Sequence, residues 1–152
     1  MKTVGWREWV ALPELGIASI KAKVDTGART SALHAFEVNA FERDGRSWVR
    51  FLMHPLQQDV DTVVSCEAPV KDRRVVTDSG GHREDRYVIE TMLSLNGEQR
   101  RVEVTLTDRE SMIFRMLIGR TAMAGLLVDP AASFLLGGDK ENPPQPCDEH
   151  QE

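Results

Sequence analysis

The 152-residue chain is poor in the residues that anchor several whole classes of protein. It has only 2 cysteines, Cys66 and Cys147, too distant for a C-x-x-C pair. A disulfide framework and a thiolate zinc site are therefore not expected, and a reducing compartment, the cytoplasm, is. No apolar run approaches the length of a membrane span, and "MKTVGWREWVAL" lacks the apolar core of a secretory leader, so no membrane partner is expected. There is no H-E-x-x-H, and His34, His54, His82 and His150 are scattered without zinc-ligand spacing. "LLGGDKEN" lacks the G-K-[ST] ending of a phosphate loop. The expectation is no metal and no cofactor. A net charge of −5 argues against direct binding of nucleic acid. Arginine is the dominant cation, 14 of the 19 basic residues, and its planar fork suits carboxylates.

What the chain does have is short alternating runs separated by turn residues. Val4 to Leu12, Ile17 to Val24 and Ser31 to Phe41 read as extended, as do Thr62 to Cys66, Arg73 to Thr77, Tyr87 to Leu95, Arg101 to Thr107 and Ile113 to Ile118. Asp44-Gly45 and Asn96-Gly97 are two-residue hairpin signals. Only "RTAMAGLL", Arg120 to Leu127, has a composition favouring a helix, and Asp129-Pro130 ends it. Ser133 to Leu136 is a last apolar run. The pattern predicts one all-β domain over residues 1–136, closed into a barrel or sandwich with one short helix. Residues 137–152, "GGDKENPPQPCDEHQE", are expected to be a disordered, acidic, Pro-rich tail.

Chemistry concentrates in "KVDTGARTSALHA". An aspartate at the end of an alternating strand, followed by Thr and Gly, is what hydrolysis by paired carboxylates requires, although Asp-Thr-Gly alone is also good turn chemistry. Two like charges at close range cannot both ionise, so one carboxyl donates while the other activates water. A small hydroxyl at Thr26 can brace the turn, and Gly27 lets a peptide backbone approach. Thr30 and Ser31 are expected to bond nearby backbone. Far downstream lies "MLIGRTAM", an apolar-apolar-Gly-Arg loop containing Gly119 and Arg120.

Together, "AKVDTGA", the Gly-containing hairpin "VVTDSGGHREDRYVIETML" and "MLIGRTAM" resemble the retropepsin-like aspartic proteases over roughly Ile17 to Leu136. An extra hairpin region, about Glu37 to Val70, is inserted. "VDTGARTSALHA" with "GRTAMAGLLVDPAASFLLG" is similar to a bacterial subfamily labelled ATP-dependent zinc proteases and associated with ATP-grasp glutamate ligases of the RimK type. The resemblance implies an endopeptidase acting on glutamate-rich tails, with such a ligase and its ribosomal protein target as partners. The zinc and ATP of the label find no matching residues.

The resemblance implies catalysis by Asp25, with Thr26 and Gly27 beside it. Asp78-Ser79-Gly80 is a second D-[ST]-G, but no apolar-apolar-Gly loop separates it from Asp25. It reads better as a flap tip, with Ser79, Gly80 and Gly81 closing over a peptide. Asp25 then meets its own copy in a homodimer. Where many retropepsins carry an acid four residues after the aspartate, this chain has Arg29. An Arg29–Arg120 salt bridge is impossible, and Arg29 becomes the candidate reader of an acidic side chain, with Arg83 and Arg86 beside the flap. The competing reading pairs Arg29 with an acid of the inserted hairpin and lets Arg83 and Arg86 neutralise Glu84 and Asp85. A retropepsin-like module that binds peptide without cutting it is the alternative function.

Overall fold

The computed structural model describes residues 2–55, 62–77, 80–107 and 114–144. Its strands are β1 (Thr3–Gly5), β2 (Arg7–Leu12), β3 (Ile17–Asp25), β4 (Ser31–His34), β5 (Phe36–Arg43), β6 (Arg46–Met53), β7 (Val64–Thr77), β8 (Arg83–Leu95), β9 (Glu98–Thr107), β10 (Met116–Gly119) and β11 (Leu127–Asp129). One sheet runs β2-β3-β10-β4-β9-β8-β7-β6-β5. A pairing of Ala11 with Ser94 brings β2 back onto β8 and closes the ring. The closure becomes possible where β7, which pairs with β8 from Val70 to Thr77, has left its edge free.

The two hairpin signals behave as expected. Asp44 and Gly45 have φ of 53° and 77°, Asn96 and Gly97 of 51° and 94°. Two consecutive left-handed residues match the twist of the flanking strands. The run from Ser31 divides at Ala35, whose N–H bonds Thr107 O at 2.9 Å. Before that point β4 runs parallel to β9. After it β5 runs antiparallel to β6. Of the expected strands Thr62 to Cys66 and Arg73 to Thr77, the part from Val64 on and the whole of the second belong to the single strand β7, irregular between Val70 and Asp72.

The inserted region is an extension of the same sheet, not a separate lobe. Val49, Phe51, Met53, Cys66 and Ala68 from β6 and β7 join Leu12, Ile20, Leu33, Ile89, Leu93 and Ile118 in one buried cluster. Burying side chains of this size stabilises by about 1.5–3 kcal/mol each, which keeps the ring and its extension in register.

The expected helix at Arg120 to Leu127 is shorter than its composition predicts. A single 3-10 turn spans Arg120–Met123. Gly125 then takes φ of 81°, and the chain leaves to pair with β1 in parallel. Ser133 to Leu136 forms no strand. The Glu8 carboxylate, 1% exposed, accepts the amides of Gly5 at 2.6 Å, Leu135 at 2.8 Å and Leu136 at 2.9 Å. This clasp replaces ladder bonds for the segment. Packing also continues past the expected boundary at Leu136. Trp9 Nε1 donates to Asp139 O at 2.8 Å, and Pro143 and Pro144 line a cleft with Trp9. Residues 145–152 lie outside the described residues. Among the described residues no helix is long and apolar enough to cross a membrane.

Candidate active site

Asp25 is the last residue of β3 and is half-buried. It stands opposite Gly119 in the parallel β3–β10 pair, one step beyond Val24 and Ile118. After it the chain turns tightly. Gly27 N donates to Asp25 Oδ1 at 3.1 Å, and Ala28 N to Asp25 O at 3.2 Å. A Cβ on Gly27 would come within 3.3 Å of that carboxylate oxygen, so glycine here leaves the carboxylate approachable.

The turn is held against the strand-end loop by backbone. Arg120 N donates to Ala28 O at 2.8 Å and Thr121 N to Arg29 O at 3.2 Å. Thr121 Oγ1 donates to Arg29 O at 2.7 Å. Arg120 itself caps Gly27 O at 3.3 Å, which is where its guanidinium goes in the absence of an acid at position 29. Ser31, completely buried, accepts Gly119 N at 3.0 Å. A Cβ on Gly119 would lie 2.6 Å from the Thr30 carbonyl carbon. Ser31 bonding nearby backbone was expected; its partner being the glycine of the distant loop was not legible.

Beyond the ring, β7 and β8 continue as a two-stranded arm, pairing Arg73 with Tyr87 through Thr77 with Arg83. β9 reaches β8 only from Val88 onward, and β6 leaves β7 at Pro69. The arm ends near Gly80 and Gly81, the latter at φ of 83°. Asp78 and Ser79 lie outside the described residues. Within the arm, Glu84 accepts Thr107 Oγ1 at 3.3 Å and Arg86 Nε at 2.9 Å. Arg86 retains 11% side-chain exposure, so it matches the reading in which it neutralises Glu84. Arg83 is exposed and forms no ion pair among the described residues.

Arg29 is exposed at a groove of about 300 Å³ shared with Thr30, Thr121, Glu90, Arg101 and Glu103. The two acids there are already held. Lys71 Nζ lies 3.1 Å from Glu90 and 2.9 Å from Glu103, and Arg74 lies 3.1 Å from Glu103. Arg29 forms no ion pair among the described residues. No three His, Cys, Asp or Glu side chains come together as a metal-ligand set among the described residues.

A ring of strands whose D-T-G turn abuts an apolar-apolar-Gly strand end, with a two-stranded arm beyond it, is a retropepsin-like fold. Comparison with known proteins agrees: over residues 3–137 the chain matches the family described as RimB-like, the retropepsin-like aspartic endopeptidase RimB, and it belongs to that family. It is 50% identical over 137 residues to a probable alpha-L-glutamate ligase of Desulfotalea psychrophila, covering 90% of this chain and 30% of that protein. It is 49% identical over 141 residues to a probable alpha-L-glutamate ligase of Shewanella pealeana, covering 91% of this chain and 31% of that one. The chain thus spans less than a third of the length of these curated relatives. A solved structure of a Legionella pneumophila protein of unknown function superimposes with a TM-score of 0.75 at 26% identity, covering 89% of this chain and 98% of its own.

Proposed function

We propose that the protein is a homodimeric aspartic peptidase that hydrolyses peptide bonds in glutamate-rich tails. The observation that carries the reading is the Asp25 turn, fixed against Gly119, Arg120 and Thr121 by five hydrogen bonds while, among the described residues, its carboxylate receives only the amide of Gly27. One such turn supplies half of a dyad. The second carboxylate comes from Asp25 of another copy, because a two-fold axis presents the same turn to itself. With the two at close range, one proton is shared. The ionised carboxylate takes a proton from the water, and the neutral one donates to the scissile carbonyl as the tetrahedral intermediate forms. Thr26 braces the pair, Gly27 admits the substrate backbone, and the Gly80-Gly81 arm closes over it. Arg29 and Arg83, both exposed without an ion pair among the described residues, favour acidic substrate.

A second reading takes the curated relatives' names as its support. In it the domain binds peptide for a glutamate ligase of the ATP-grasp type, which acts on a ribosomal protein, and cuts nothing. The two are separated by incubating an oligoglutamate-tailed peptide with wild type and Asp25→Asn, alongside light scattering for dimer mass. Cleavage lost in a folded Asp25→Asn dimer, and insensitive to chelators, supports the peptidase. Binding without cleavage by wild type establishes the second reading. Cleavage abolished by a chelator and restored by zinc overturns the aspartate mechanism.

A further inference from the structure

The strand that ends in Asp25 carries a cationic face that neither the D-T-G motif nor Arg29 accounts for. Along β3 and β10, Ile20, Ala22, Met116 and Ile118 are buried, whereas Lys21, Lys23 and Leu117 are not. Bridged residues share a side of the sheet, and successive residues alternate. Lys23 is bridged to Leu117 and to Arg7, so all three stand on the outward side. Asp25, two residues beyond Lys23, ends the same column at a separation of about 7 Å. Arg115, in the bend just before β10, precedes Leu117 by two residues and is tied to β4 by His34 N donating to Arg115 O at 2.8 Å.

The cations of this face are poorly matched by anions. Lys23 and Arg115 form no ion pair among the described residues. Arg7 is stacked over Trp6 at 4.6 Å and Phe134 at 4.9 Å, and its Nε donates to Ser133 Oγ at 3.1 Å. Lys21 is held below the usual lysine range by burial first, then by the positive charges of Arg7 and Lys140, with Glu141 and Asp139 opposing. Those two acids belong to the segment after Gly138, at the Lys21 end of the column. The Arg115 Nε–H is buried and has no hydrogen-bond partner among the described residues. A buried charged donor without an acceptor is costly, which leaves this guanidinium under-compensated.

We infer that the outward face of β3 and β10 is the wall of the substrate cleft beside the scissile bond, where Lys23 and Arg115 bind the carboxylate side chains of an acidic peptide. Lys23, one outward position from Asp25, reads the side chain nearer the bond. Arg115, in the bend just before β10, reads a more distant one through its guanidinium. Leu117 between them provides apolar contact for the methylene stems. The inference rests on the proposed peptidase reading for the position of the cut bond, but the binding site can be tested without any cleavage.

The test uses full-length Asp25→Asn protein and fluorescein-labelled hexaglutamate or hexaglutamine, read by anisotropy at low and moderate salt. The expected result is selective binding of hexaglutamate, weakened about tenfold or more by Lys23→Gln with Arg115→Gln and with a shallower salt dependence. Arg46→Gln, on the inserted hairpin, leaves it unchanged. Lys23 is exposed, so Lys23→Gln alone carries the test if Arg115→Gln does not fold. Equal binding of hexaglutamate by parent and variants, no selective binding by the parent, or equal losses for both peptides overturns the inference. Wild-type cleavage, assayed separately, decides the peptidase reading: selective binding that depends on Lys23 in a wild type that cuts nothing keeps this site and removes that mechanism.

Discussion

The buried hydroxyl of Ser31 accepts the amide of Gly119 at 3.0 Å, joining two residues 88 apart in sequence. With the Arg120–Ala28 and Thr121–Arg29 bonds it closes the junction between the Asp25 turn and the end of β10. The junction is tight enough that no side chain fits at position 119.

Gly119→Ala is therefore expected to destabilise the fold. The clash is with the Thr30 backbone, which is fixed by its neighbours and cannot rotate away as a side-chain tip would. The cost is about 1–3 kcal/mol in urea unfolding, in the range of overpacked cores. Peptidase activity should fall further than stability, because the displaced segment carries Asp25. Ser31→Ala tests the same junction without a clash and leaves a buried amide unsatisfied, costing about 1–3 kcal/mol. A Gly119→Ala protein as stable and as active as wild type is the result that removes the junction from the account.

Glu8→Ala removes the acceptor shared by Gly5, Leu135 and Leu136. Three backbone donors lose their partner, two of them on the segment that passes behind β2. A loss of about 3 kcal/mol or more is expected, since each unsatisfied buried donor costs about 1–3 kcal/mol. Hydrogen exchange locates the effect: protection at Leu135 and Leu136 should drop well before protection at Ile89 or Leu93. Uniform loss across the ring would mean that Glu8 supports the whole fold instead.

Much of this arrangement was legible in the chain. Alternation and the Asp-Gly and Asn-Gly turns located the hairpins because those signals are local. The D-T-G and L-I-G-R motifs pointed to the site because backbone approach demands glycine at each. Local reading failed where a distant partner decides the structure. "RTAMAGLL" has helical composition, but pairing of β11 with β1 draws the chain out after one turn. "SFLL" has strand composition, but Glu8 takes its amides. Glu8 itself sits in "REWVAL" at a buried position usually filled by an apolar side chain, and that lapse in the pattern was the available signal. The Lys21-Lys23 alternation marks a half-buried strand and no more, because only the register with β10 brings Arg115 near it.

Acid should weaken the outer surface of β7, β8 and β9 first. Glu103 is held below the usual carboxylate range chiefly by its hydrogen bond from Lys71 and also by Arg74. Glu90 is lowered chiefly by Lys71, and Asp72 by Arg74. A depressed folded-state pKa contributes stability that is present above the unfolded value, near 4.5 for glutamate, and is lost as pH falls through the lower folded value. Urea midpoints should thus hold steady from neutral pH to about 5 and decline below it. The decline should be smaller in Lys71→Met, which removes the partner of both glutamates. Because these pairs are solvent-exposed, added salt should also shrink the effect. A Lys71→Met midpoint that declines as steeply as wild type would separate the acid transition from this cluster.

The alkaline limit has a different origin in Cys66. Its thiol is 2% exposed in the core and donates to Leu15 O at 3.4 Å, and burial pushes its pKa from 9.0 up to about 11. A raised folded-state pKa gives stability that is complete below the unfolded value and disappears as pH rises through the folded one. Between pH 9 and 11 the thiol should therefore cost the fold about 2–3 kcal/mol, at about 1.4 kcal/mol per pH unit. Lys71, whose pKa is raised by its bonds to Glu103 and Glu90, adds a loss beginning above 10.5 for the same reason of sign. A Cys147→Ser background isolates Cys66. In it, an aromatic disulfide reagent at pH 8 should label the protein only as fast as the core opens, and Cys66→Ala should flatten the decline between pH 9 and 10, before Lys71 contributes. Rapid labelling of the folded protein at pH 8 would place the thiol outside the core and remove burial as the cause.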